Sequence, residues 1–206
     1  MGKINMGKIN TIIFDITGVL VDGCLDDFFR NKGYTEDMVK RLLLTCTNPG
    51  DWTEFDKNHV DLEGAIGIFA RHDPEIEGEL RNAFCDLNGI VRKRERTIPW
   101  IRDLKASGYK VLILSNFAEQ GLDDNPFMKE FLDETDGGII SFSVGLTKPD
   151  PEIYRLLMER YELKAEECVF IDDMLENIEA AKALSMQGIV YKSYEQVIRE
   201  LRKIGI

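Results

Sequence analysis

Apolar residues along this chain gather into short clusters of strand length, at residues 9–14, 110–114, 138–142, 168–171 and 188–191, and most are followed by a stretch of helical periodicity. Brief buried runs alternating with amphipathic segments predict a parallel sheet wrapped by helices. In Ile98-Pro99-Trp100-Ile101-Arg102-Asp103-Leu104-Lys105 the apolar positions recur at helical spacing, and Gly108 stands where a helix C-cap commonly precedes a strand. Residues 151–161 and 177–186 read similarly. Between Leu20 and Arg96 the pattern changes: Phe28/Phe29, Met38/Leu42 and Ile66/Phe69/Ala70 keep helical spacing with no buried strand among them. The expected organisation is an α/β core built from residues 1–20 and 97–206, with a helical subdomain inserted at 21–96. No repeat of solenoid length and no low-complexity tract interrupts it.

Composition narrows the function classes. A chain of 206 residues, 44% hydrophobic, has enough apolar surface for a full core and a small insertion. Acidic residues outnumber Lys and Arg by 37 to 26, and the net charge of -11 repels a nucleic-acid backbone, so a DNA or RNA partner is not expected. Cys24, Cys46, Cys85 and Cys168 lie far apart with no CxxC pair, which suggests neither a zinc site nor a disulfide framework and fits reduced thiols in a cytoplasm. The apolar runs are too short to span a bilayer, and the N-terminus lacks a signal-peptide stretch, so a soluble, unexported protein is expected. The opening MGKINMGKIN is a direct repeat whose copies each begin with Met, as a cloning remnant, a tag or an alternative start would; the first copy is set aside in fold reasoning.

Four segments carry candidate chemistry. In Ile13-Phe14-Asp15-Ile16-Thr17-Gly18-Val19-Leu20 an apolar strand runs directly into a carboxylate and a glycine. Ligand sites of open α/β sheets lie at such strand ends, although Asp and Gly there also make simple turns. Three further strand ends supply Ser115-Asn116, Thr147-Lys148-Pro149-Asp150-Pro151 and Asp172-Asp173, giving hydroxyl and amide donors, a cation and an acidic pair. In this order, with an insertion between the first and second segments, the chain from about Ile9 to Tyr191 resembles the haloacid dehalogenase superfamily. The resemblance implies a Rossmann-like core under a helical cap. It also implies Mg²⁺-dependent hydrolysis of a small phosphorylated metabolite through an aspartyl-phosphate at Asp15. Asp15, the Thr17 carbonyl and Asp173 would hold the metal, with Asp172 a further ligand or a partner of the ligands; the sequence leaves those two roles open. Ser115 and Asn116 would donate hydrogen bonds to the phosphoryl oxygens, and Lys148 would add a fixed positive charge.

One position departs from the family pattern. Phosphatases of this kind usually carry a second Asp two residues after the nucleophile, as the acid and base for the departing oxygen and the incoming water, and this chain has Thr17. A hydroxyl serves poorly there, and losing general acid–base help costs about 10²–10⁴ in rate. Slow turnover, a preference for good leaving groups such as acyl phosphates, or a persistent aspartyl-phosphate as in the related ion-pumping ATPases, all follow as expectations. So does the alternative of an impaired relative that binds a phosphate ligand or regulates. Of the remaining features, the basic run Arg92-Lys93-Arg94-Glu95-Arg96 reads as a solvated hinge. His59 and His72 read as ordinary residues of the insertion. Trp52, Phe55, Phe28 and Phe29 read as packing for its helices rather than as pocket walls. Nothing in the sequence indicates an oligomeric state.

Overall fold

The computed structural model describes residues 8–206; the first MGKIN copy, with Met6 and Gly7, lies outside the described residues. Strand β1 (Thr11–Phe14) opens the fold. The chain then passes through β2 (Val21–Gly23), helices α1 (Leu25–Asn31), α2 (Glu36–Cys46), α3 (Thr53–Asp56), α4 (Leu62–Phe69) and α5 (Glu77–Ala83), and returns through β3 (Val91–Lys93). There follow α6 (Thr97–Ala106), β4 (Lys110–Ser115), α7 (Glu119–Asp123), α8 (Phe127–Leu132), β5 (Gly138–Ile140) and α9 (Pro151–Arg160). Strand β6 (Cys168–Asp172), α10 (Leu175–Ala183), β7 (Gln187–Val190) and α11 (Tyr194–Lys203) complete it. The sheet order is β5-β4-β1-β6-β7, and every pairing within it is parallel.

Register explains why β1, β4 and β6 read as continuous apolar runs. Ile13 pairs with Leu112 on one side and Phe170 on the other, and Ile12 with Val111 and Val169. Successive residues point to opposite faces, and both faces are covered. Ile13, Leu112, Leu114 and Phe170 meet Ile153, Tyr154 and Leu157 of α9 and Ile178 of α10. Ile12, Phe14, Val111, Ile113 and Val169 meet Trp100 and Ile101 of α6, Phe131 of α8 and Leu201 of α11. The chain leaves β1 for β4 on one side and reaches β6 on the other only later, so the strand order reverses beside β1. A crevice opens at the C-terminal ends of strands flanking such a switch point, and Asp15, Ser115 and Asp172 all sit there.

The insertion has its own apolar cluster. Phe28, Phe29, Leu42, Phe55, Phe69 and Phe84 are buried together, with the rings of Phe28 and Phe84 at 5.7 Å and those of Trp52 and Phe69 at 4.8 Å between centroids. Thr35 and Asp61 cap α2 and α4 by accepting from Met38 N and Gly64 N. Where the sequence predicted only helices between Leu20 and Arg96, β2 and β3 pair antiparallel at the base of the insertion. Each has three residues and only one buried side chain, Val21 or Val91, too short for alternation to register. The expected strand at 138–142 ends at Ile140, because Ser141–Ser143 turns as a 3-10 helix. Among the described residues no helix is long and apolar enough to cross a membrane, and all four cysteines are free.

Candidate active site

Asp15 follows β1 directly, and its N–H continues the ladder by donating to Ile171 O at 2.9 Å, which fixes the backbone from which its carboxylate projects. The carboxylate is 7% exposed. Lys148 Nζ reaches it at 2.8 Å and reaches Asp172 Oδ2 at 2.6 Å, so one buried ammonium bridges two buried carboxylates from different strands. The same ammonium lies 5.3 Å from the centroid of the Phe170 ring. Burial raises the Asp15 pKa to about 6, opposed by Lys148 and reinforced by the neighbouring charge of Asp172. Burial works to lower the Lys148 pKa, and the two carboxylates more than offset it, so the net direction is upward and the lysine is held charged.

The acidic pair divides by environment. Asp172 is wholly buried; besides Lys148 it accepts from Asn177 Nδ2 at 3.0 Å on each oxygen and from Met174 N at 2.7 Å. Asp173 is exposed, and burial of its carboxyl followed by the charge of Asp172 raises its pKa. One carboxylate oxygen from each of Asp15, Asp172 and Asp173 lies within 4.8 Å of the others. Gly18, with φ +81°, lets the loop after β1 pass against Asp173, where a Cβ would stand 2.3 Å from Oδ2.

The remaining candidates surround this cluster. Ser115 Oγ is buried beside Asp15, whose ionised form it favours slightly, and finds no partner in ordinary hydrogen-bond geometry. Asn116, expected to serve a phosphoryl oxygen, brackets the main chain of Lys148 with its amide, donating to Lys148 O at 2.9 Å and accepting from Lys148 N at 2.8 Å. It therefore anchors the loop that carries the lysine. Thr17 is partly exposed and faces a cavity of about 620 Å³ between the insertion and the strand ends.

Two residues of this region were not read from the sequence as part of it. Asp56, the last residue of α3, lines the same cavity with Thr17 and Asn116. Its pKa rises to about 7, through burial of the carboxyl first, opposed by Lys148 and reinforced by Asp15. Ser141 Oγ donates to Asp56 O at 2.6 Å and accepts from Phe117 N at 3.0 Å, so α3 is tied to the core next to the site. Arg94, expected in a solvated run, is instead partly buried. It donates to Gly18 O at 3.0 Å, to Val19 O at 2.5 Å and to Tyr191 Oη at 3.0 Å, and pairs with Asp22 at 2.7 Å. Of the aromatics expected only to pack, Phe28 and Phe29 do so, whereas Trp52 and Phe55 both pack and line the cavity.

The model of the haloacid dehalogenase-like hydrolases matches residues 9–185. The chain belongs to that family. Among curated members of haloacid dehalogenase-like type, it is 27% identical over 192 residues to the sesquiterpene phosphatase astK of Aspergillus oryzae, covering 93% of this chain and 94% of that protein. It is 24% identical over 206 residues to flavin mononucleotide hydrolase 1 of Arabidopsis thaliana, covering 97% of this chain and 79% of that one. A haloacid dehalogenase-family enzyme of Bacteroides thetaiotaomicron, solved with magnesium and inorganic phosphate, superposes with a TM-score of 0.66 at 16% identity, covering 93% of this chain and all of the other. At that identity the likeness is one of fold.

Proposed function

We propose that this haloacid dehalogenase-like hydrolase cleaves phosphate monoesters of a small molecule through an aspartyl-phosphate on Asp15, beneath a cap formed by its helical insertion. The carrying observation is the buried Asp15–Lys148–Asp172 bridge with Asp173 beside it. Lys148 holds Asp15 in a fixed direction and supplies positive charge where phosphoryl oxygens gather. An all-oxygen donor set fits a small hard cation; Asp15 and Asp173, with the Thr17 carbonyl that the family resemblance implies, would hold Mg²⁺, which would supply charge neutralisation between phosphate and carboxylate. Asp172 already accepts four hydrogen bonds, so its role is to hold Lys148 rather than to ligate directly. The phosphatase and mononucleotide hydrolase activities named for the two relatives support the reaction class. Free thiols fit work in a reducing compartment such as the cytoplasm.

In the first step an Asp15 oxygen bonds to phosphorus and the ester P–O bond breaks, leaving the alcohol oxygen to take a proton. The Thr17 hydroxyl serves poorly as the donor of that proton. Asp56 is a carboxyl facing the same cavity, with a pKa raised towards neutrality, and it takes the role. In the second step water attacks phosphorus, the Asp15–phosphorus bond breaks, and the proton released from water returns to Asp56. Inorganic phosphate and the free alcohol leave. The rival reading, a relative that keeps the site only to bind a phosphate ligand, rests on Thr17 alone, and a second carboxyl in the cavity weakens it.

Mg²⁺-dependent phosphate release from an aryl phosphate, an alkyl phosphate and acetyl phosphate tests the reading. Activity on at least one of them, abolished by Asp15→Asn, is expected. No release from any of the three by the parent protein, together with tight binding of a phosphate ester, would establish the rival.

A further inference from the structure

The cavity beside Thr17 differs in kind from the charged cluster it adjoins. Its walls are the side chains of Leu25, Leu43, Trp52, Phe55, Ile90 and Phe117, contributed by α1, α2, the turn before α3, α3 itself, the approach to β3 and the loop after β4. At about 620 Å³ it is of the size that encloses a small organic molecule. Among the described residues, the only charged ones on its lining are Asp26 and Asp56, with no Lys, Arg or His. A second phosphate or a carboxylate on the leaving alcohol would therefore meet repulsion with no counter-charge. A sugar would need several donors and acceptors, yet the neutral side chains on the lining with a polar group are Thr17, Asn116, the thiol of Cys24 and Trp52, whose indole N–H already donates to Cys46 O at 2.7 Å. Asn116 already uses its amide oxygen and one N–H on Lys148, and the Cys24 thiol donates to Asp22 O at 3.6 Å. Leaving buried hydroxyls unpaired costs binding, whereas each hydrocarbon group that enters such a cavity leaves water.

We infer that the cavity receives the alcohol part of the substrate, and that this part is an uncharged, predominantly hydrocarbon group, so that the substrates are monophosphates of apolar alcohols. The inference rests on the phosphomonoesterase reading for the position of the phosphate at the strand ends, and on the cavity lining for everything beyond it. Phe117 is held in place on the lining. It follows Asn116 in the loop after β4 and is backed by Gly121, where a Cβ would stand 2.9 Å from its ring, so the ring is held against the backbone of α7.

Two measurements on the intact protein decide it. Phosphate release is followed for n-butyl, n-hexyl, n-octyl and n-decyl phosphate, with glucose 6-phosphate and glycerol phosphate for comparison. Each added methylene should raise kcat/KM by up to roughly fourfold until the cavity is full. Leu43→Gln should lower kcat/KM for octyl phosphate roughly tenfold more than for acetyl phosphate, which has no tail to place. Binding of the matching n-alkyl phosphonates, whose carbon–phosphorus bond resists hydrolysis, is measured by calorimetry. Affinity should climb with chain length and the heat capacity of binding should be negative. If the phosphonates bind in this way while no ester is hydrolysed, the phosphatase reading fails and the apolar ligand class stands. If turnover or binding is indifferent to chain length, or glucose 6-phosphate is preferred, the inference is overturned whether or not the protein is a phosphatase.

Discussion

In the proposed mechanism Asp56 takes over what a single aspartate two positions after the nucleophile does in related phosphatases. If Asp56 supplies the proton, its loss should matter in proportion to how much the leaving group needs one. Asp56→Asn should slow hydrolysis of an alkyl phosphate by about 10²–10⁴. An aryl phosphate should lose much less and acetyl phosphate least, because their leaving groups depart without protonation. Introducing Thr17→Asp into the Asp56→Asn background should restore alkyl phosphate turnover, since a carboxyl then stands again within reach of the same oxygen. Equal losses on all three substrates, with no rescue, would reduce Asp56 to a structural residue. The sequence contained no sign of it. Asp56 is one of 37 acidic residues, it ends a helix of four residues, and it meets the site through long-range contacts, among them the tie from Ser141 to its carbonyl. Asp15, Ser115 and the acidic pair stood out for the opposite reason, because each ends or directly follows a strand with a clear apolar run, and Lys148 stood out through the Lys-Pro-Asp-Pro run that leads into α9.

The loop after β1 is the element on which the cluster depends. Gly18 sits at φ +81° against Asp173, and Arg94 closes the loop from outside through the carbonyls of Gly18 and Val19. Gly18→Ala meets two penalties, a left-handed backbone that disfavours a Cβ by about 1–2 kcal/mol and a clash with the Asp173 carboxylate. Gly33→Ala is the natural control, since its φ is +87° and a Cβ there meets nothing within 4 Å. The two variants should share the backbone penalty, and only Gly18→Ala should also raise the Mg²⁺ concentration needed for half-maximal phosphate release. Matching metal requirements in thermal melts and assays of both would remove Asp173 from the metal site. Arg94 shows where reading by pattern fails. A dense basic run has the look of a solvated segment, while the groups that bury this arginine, Asp22 and two main-chain carbonyls, stand more than seventy positions earlier in the chain. Likewise, the antiparallel pair β2 and β3 is joined across the whole insertion and leaves no local periodicity to detect.

At the scale of the molecule, the cluster sets folding stability against readiness for a cation. Asp15 carries a pKa near 6 in the fold against 3.8 when unperturbed, so between those values the folded chain binds more protons than the unfolded one. Stability must then fall as pH rises through that window, by about 3 kcal/mol for Asp15 when the rise is complete. Asp56, raised to about 7 chiefly by burial, continues the decline towards neutrality. Surface carboxylates held by arginine, such as Asp73 and Glu36, have lowered pKa values and contribute stability that is lost below the ordinary carboxylate range, so they act at more acidic pH than the cluster does. Chemical denaturation without metal should therefore show stability decreasing between pH 4 and 7, and Asp15→Asn should flatten much of that slope. Mg²⁺ binds the ionised carboxylates and competes with the protons, so its stabilising effect should grow over the same interval and be larger at pH 7.5 than at pH 5.5. A metal effect independent of pH, or a slope untouched by Asp15→Asn, would mean that the buried carboxylates are not the cation's seat.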